Sequence, residues 1–106
     1  MQNICFFNTA KAWGGGEKWH LEISTYLHQK GYSVFVFAHV ESELLKRLKL
    51  NNVPCSGISI SNLSFLNPFQ HLSLTAKLRK LNISTIIMNL SRDVKIAGPC
   101  AKKAGV

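Results

Sequence analysis

Gly14-Gly15-Gly16-Glu17 follows Trp13 and separates an apolar run, Ile4-Cys5-Phe6-Phe7, from a stretch of helical periodicity between Lys18 and Lys30. A strand, a glycine-rich turn and a helix in that order aim backbone N–H groups and a helix N-terminus at an anion. Glycines there permit positive φ and close approach of a ligand to the backbone. Two well-known phosphate loops are excluded by the spacing. A dinucleotide fingerprint, G-x-G-x-x-G, would require glycine at Trp19, and the acid expected at the end of the second strand is missing from Phe37-Ala38-His39. A P-loop requires Gly-Lys followed by Ser or Thr, whereas Gly16 precedes Glu17. A second polar group, Asn89, Ser91, Arg92 and Asp93, follows the apolar run Ile83–Met88. Asn89 and Ser91 offer hydrogen bonds to hydroxyls, Arg92 a bidentate grip on phosphate or carboxylate, and Ser91 or Asp93 a cap for the next helix.

The elements that must position these groups follow from periodicity. Ile4–Asn8, Val34–Ala38 and Ile83–Met88 are continuous β-favouring runs without polar alternation, the pattern of strands covered on both faces. Cys55–Ile60, with Gly57 inside it, reads as an edge strand. Helical stretches lie between them at Glu17–Lys30, Glu41–Leu50, Pro68–Leu81 and Arg92–Lys103. Trp19, His20, Ile23 and Leu27 form the apolar stripe of the first helix, which Gly31 ends. Glu41 or Ser42 starts the second, and Asn67 caps the third ahead of Pro68. Gly98-Pro99 is expected to kink or split the fourth. Alternating βα units with right-handed crossovers build an α/β, doubly wound, mostly parallel sheet in three layers. A winding reversal after the second βα pair gives the order third, second, first, fourth. Ligands then bind outside the carboxyl ends of the first and fourth strands, between Trp13–Glu17 and Asn89–Asp93.

Composition narrows the class. The 106 residues suffice for one domain, and 46% hydrophobic with 17% charged residues describes a folded chain. No apolar run approaches the roughly 18–20 residues of a membrane span, and the N-terminus lacks a signal-peptide pattern. Cys5, Cys55 and Cys100 show no metal spacing and read as reduced thiols, so no metal is expected and a cytoplasmic location is. The formal charge is +8, and from Pro54 onward seven Lys and Arg face only Asp93. That excess suits a solvated helix face, or attraction to an anionic membrane or a phosphate-bearing acceptor. Nucleic acid is not expected, because no readout motif accompanies the charge. Among the histidines, His20 is expected to pack beneath the glycine segment and His39 to end a strand near the cleft. Their spacing forms no triad, and no catalytic residue is assigned.

These blocks resemble the start of the GT-B, family-4 glycosyltransferases, which open with a short strand, a G-G-x-E loop, an amphipathic helix, then Gly and a second strand. Here the blocks are Gly14-Gly15-Gly16-Glu17, Lys18-Trp19-His20-Leu21-Glu22-Ile23 and Gly31-Tyr32-Ser33-Val34. Ser42-Glu43-Leu44-Leu45 through Asn52-Val53-Pro54 is similar to the second helix and the approach to the third strand. Leu78-Arg79-Lys80-Leu81 to Thr85-Ile86-Ile87-Met88-Asn89 is similar to the third helix and fourth strand, and Ala101–Val106 to the end of the fourth helix. The resemblance implies a Rossmann-like acceptor-side domain, residues 1–106, of an enzyme that moves a sugar from a nucleotide-sugar to a glycan or lipid-linked acceptor. It implies no cofactor beyond that donor. It carries a substrate-facing role to Gly15 and Gly16 most directly, with Trp13 as a stacking platform or loop anchor and Glu17 as a loop-fixing or hydroxyl-binding carboxylate. Where many members place a histidine or an acid facing the acceptor, this chain has Asn89, Ser91, Arg92 and Asp93, so no histidine role carries over. A different class stays open, a free-standing flavodoxin-like module binding a phosphate ligand in the same crevice. The fourth strand, rich in isoleucine and without a charged guard, is expected to be an unprotected edge, hence a domain cut before its next strand and able to self-associate.

Overall fold

The structure is a computed structural model and describes residues 3–59, 68–88 and 90–106. Asn67, Asn89 and the end of the third expected strand at Ile60 lie outside the described residues, as do the side chains of Ser91 and Arg92. Among the described residues, four strands alternate with four helices: β1 (Asn3–Asn8), α1 (Gly15–Gln29), β2 (Ser33–His39), α2 (Glu43–Leu50), β3 (Cys55–Ile58), α3 (Pro68–Lys80), β4 (Thr85–Met88) and α4 (Ser91–Ala104). All strand pairs are parallel, in the order β3-β2-β1-β4. The winding reversal expected from the apolar runs is therefore the one observed, with Phe6 of central β1 level with Val36 of β2 and Ile87 of β4.

Strand alternation sorts β1 between two cores. Cys5 and Phe7 join Phe37 under Leu74 and Leu78 of α3 and Ala97, Cys100 and Ala101 of α4. Phe6 joins Val34, Val36 and Ala38 under Leu44, Leu45 and Leu48 of α2, with Ile23 and Leu27 of α1 alongside. A sheet covered on both faces explains why the strands read as unbroken apolar runs. Cys5 and Cys100 are buried and Cys55 is half-buried. Burial drives the Cys5 thiol far up from its ordinary range.

Each helix ends by the same device. Gly31, Asn52, Asn82 and Gly105 all have positive φ, and the following residue donates back across the last turn. Those bonds run from Tyr32 N–H to Leu27 O, Val53 to Leu48, Ile83 to Leu78 and Val106 to Ala101. Such 6→1 bonds satisfy carbonyls the helix would otherwise leave open, and after α2 and α3 the donating residue, Val53 or Ile83, is buried in the core. Ser42 caps α2, its Oγ accepting the Leu45 N–H at 3.1 Å.

Three expectations need correction. α4 runs unbroken through Pro99 rather than splitting there, because its neighbours Ala97, Cys100 and Ala101 are packed into the core. Its N-cap is Leu90, without a side-chain hydrogen bond, so neither Ser91 nor Asp93 caps it. Trp19 is half-exposed although its ring still touches Phe6, and the buried positions of α1 are Glu17, His20 and Ser24. That face is polar because it covers the end of β1, where Asn8 and Thr9 replace the apolar residues.

Candidate functional site

α1 begins inside the glycine triplet. Gly14 is its N-cap and Gly15 and Gly16 are its first helical residues. The first intrahelical bond runs from Lys18 N–H to Gly14 O at 3.0 Å, so the N–H groups of Gly15, Gly16 and Glu17 precede any helical acceptor. None of these glycines is needed for a left-handed backbone: Gly14 has φ −155° and ψ −168°, and the positive-φ glycines are Gly31 and Gly105. A Cβ on Gly14 would stand 3.3 Å from the Glu17 carboxylate, whereas a Cβ on Gly15 would meet nothing within 4 Å. Gly15 is exposed and offers backbone that a ligand can touch.

Glu17 is buried, at 8% exposure, with Oε2 accepting from Asn8 Nδ2 at 3.1 Å. A carboxylate there offsets the positive end of α1 and ties the glycine segment to β1. Asn8 also faces His20 Nδ1 at 3.3 Å and accepts the Ala10 N–H on its Oδ1 at 3.0 Å. His20 is fully buried beneath the glycine segment, as expected, with its ring edge-on to Phe6.

Asp93 does the equivalent work on the other face of the sheet. It is fully buried in the first turn of α4, accepting the Thr9 N–H on Oδ2 at 3.0 Å and the Thr9 hydroxyl on Oδ1. Two consecutive residues at the end of the central strand thus grip two carboxylates, one at the N-terminus of each helix flanking the switch point. This brings the segments after β1 and β4 together, as the winding requires. Asp93 is used inside the fold, where its carboxylate ties the start of α4 to the end of β1.

Trp13 is half-buried, packed on the apolar cluster of α1 and α2, and the Arg47 guanidinium lies 4.3 Å from its ring centroid. A cation covers one ring face in this way. His39 is buried at the end of β2, its Nδ1 accepting the Glu41 N–H at 3.0 Å, which pins the turn into α2. Ser91 opens α4 and Arg92 follows it, so both lie on the border of the crevice by position. Sequence reasoning missed Asn8 and Thr9; the one available signal was two hydrogen-bonding residues ending an otherwise apolar strand.

A cavity of about 440 Å³ lies between α3 and α4, lined by Thr75, Pro99, Cys100, Lys102 and Lys103. It sits at the opposite end of α4 from Asp93. Lys77, Arg79 and Lys80 are exposed on α3, and Arg79 donates to the Lys103 carbonyl at 2.8 Å, so the cations of α3 and α4 form one surface. The basic surface and the glycine segment are therefore separate features.

Solved structures with this arrangement include HepE from Anabaena in complex with UDP, with a TM-score of 0.75 at 14% identity over 98% of this chain. The same protein in complex with UDP-glucose gives 0.76 at 14% identity over 99%. A glycosyltransferase from Rickettsia africae gives 0.76 at 16% identity over 95%. The fold is shared with glycosyltransferases. The chain spans 27% of the length of each of these proteins. No protein-family model and no curated protein matches it.

Proposed function

We propose that this chain is the acceptor-side unit of a glycosyltransferase that moves a sugar from a nucleotide-sugar to a glycan or lipid-linked acceptor. The observation that carries the reading is the alignment of nearly the whole chain with part of a glycosyltransferase and with part of a protein crystallised with UDP-glucose. The local chemistry supports the acceptor side in particular. A ligand at Gly15 meets exposed backbone N–H groups with the Glu17 carboxylate buried behind them. That carboxylate offsets the helix dipole, which suits sugar hydroxyls better than phosphate. Trp13 and the start of α4 border the same opening, and Ser91 and Arg92 belong to it by position. In this reading the nucleotide is held by a second unit, and the Rossmann-like unit described here aligns the acceptor against the donor sugar.

The test uses the complete gene product that carries this chain, with UDP-glucose as the probe donor and a panel of glycan and polyprenyl-linked acceptors. Acceptor-dependent release of UDP is expected from the complete product, and none above background from residues 1–106 alone. Robust turnover by the 106-residue chain would overturn the division of labour. A complete product inert toward every nucleotide-sugar, yet binding a free phosphate ligand in this crevice, would favour the flavodoxin-like module.

A further inference from the structure

The buried group beneath the glycine segment has a property that hydrogen-bond accounting exposes. We propose that Asn8, Glu17 and His20 form a positioning cluster for residues 10–16 that holds the segment only while His20 is neutral. The inference concerns this cluster alone and does not depend on the transferase reading.

Asn8 can stand only one way round. The Ala10 N–H is a pure donor, so the Asn8 atom 3.0 Å from it is the oxygen Oδ1. The amide nitrogen Nδ2 must then face both Glu17 Oε2 at 3.1 Å and His20 Nδ1 at 3.3 Å. An amide nitrogen has two hydrogens, one for each partner. His20 Nδ1 must therefore accept with its lone pair, and the ring proton resides on Nε2. Nε2 is buried and has no hydrogen-bond partner among the described residues.

A second proton on His20 would go to Nδ1 and point at the Asn8 N–H, donor against donor. Turning the Asn8 amide over relieves that clash, but gives up the bond to Glu17 and sets an N–H against the Ala10 N–H. Both losses reach the glycine segment. Ala10 opens it, and the Glu17 carboxylate lies 3.3 Å from the Cβ position of Gly14. The charged group facing the ring from α1 is Glu17; β1 offers neutral Phe6 and Asn8, and Arg47 of α2 is engaged with Trp13 and Glu43. Burial lowers the His20 pKa from 6.5, and the opposing attraction of Glu17 is the smaller effect. The sign follows: the unfolded chain binds the proton more readily, so the contribution is present above 6.5 and is lost as the pH falls below it.

Nuclear magnetic resonance on the 106-residue chain tests this without any ligand. The imidazole ¹⁵N shifts of His20 should show an unprotonated Nδ1 and a protonated Nε2 at pH 7.5. On lowering the pH, the amide resonances of Gly14, Gly15 and Gly16 should shift with the same midpoint as the His20 ring, below 6.5. In His20→Gln that titration of the glycine amides should vanish, and in Asn8→Asp, which offers an acceptor to Nδ1, the His20 midpoint should rise. A proton on Nδ1 at pH 7.5 would overturn the proposal. So would glycine amides that stay put while His20 titrates, or that move only in the carboxylate range.

Discussion

Replacing Asp93 with alanine is expected to destabilise the chain by about 2–4 kcal/mol, the loss when a buried carboxylate leaves two donors without their acceptor. Thr9 and Asp93 are both fully buried, so water does not reach the Thr9 N–H and hydroxyl to replace what is lost. For a domain this size that corresponds to a fall in Tm of at least about 10 °C. Asp93→Asn, which keeps one acceptor oxygen, should lie between alanine and wild type. Thermal melts of the three proteins check the order. An alanine variant melting within about 2 °C of wild type would mean that the two helix N-termini are not braced through β1.

Gly15→Val should do the reverse, sparing the fold and damaging the function. A Cβ at this position meets nothing within 4 Å and its backbone needs no positive φ, so stability should change by less than about 0.5 kcal/mol. The added methyl groups stand over the exposed backbone that a sugar hydroxyl would approach. In the complete gene product, kcat/KM should fall on the order of 100-fold, the penalty of a reactant displaced by about 1 Å. Unchanged turnover in a stable Gly15→Val protein would remove the glycine segment from the substrate surface.

Much of this architecture can be read from residue order because it rests on local rules. The unbroken apolar runs of β1 and β2 announce a sheet covered on both faces. Glycine after α1 and asparagine before Val53 and Ile83 mark helix ends, since each takes the left-handed conformation with little penalty. The site was less legible because its parts join across the fold. Asn8 reads in sequence as the last residue of a strand and Thr9 as the residue after it, yet Thr9 meets Asp93 84 residues away. Glu17 reads in sequence as a loop-fixing or hydroxyl-binding carboxylate, and the fold adds that it is buried against Asn8. Trp19 fits the spacing of a buried stripe with Ile23 and Leu27, but the end of β1 demanded polar partners, so the face turned toward Glu17, His20 and Ser24. Pro99 looks like a breaker because propensity ignores the core contacts of the residues beside it.

In the proposed function, the glycine segment at the carboxyl end of β1 faces the substrates of a sugar transfer. Hydrogen exchange on the complete gene product, with UDP-glucose and a competent acceptor, tests it most directly. Backbone amides of residues 13–18 should exchange more slowly when both substrates are bound, while those of residues 101–106, at the far end of α4, stay unchanged. Turnover proceeding with no added protection of residues 13–18 would contradict the account.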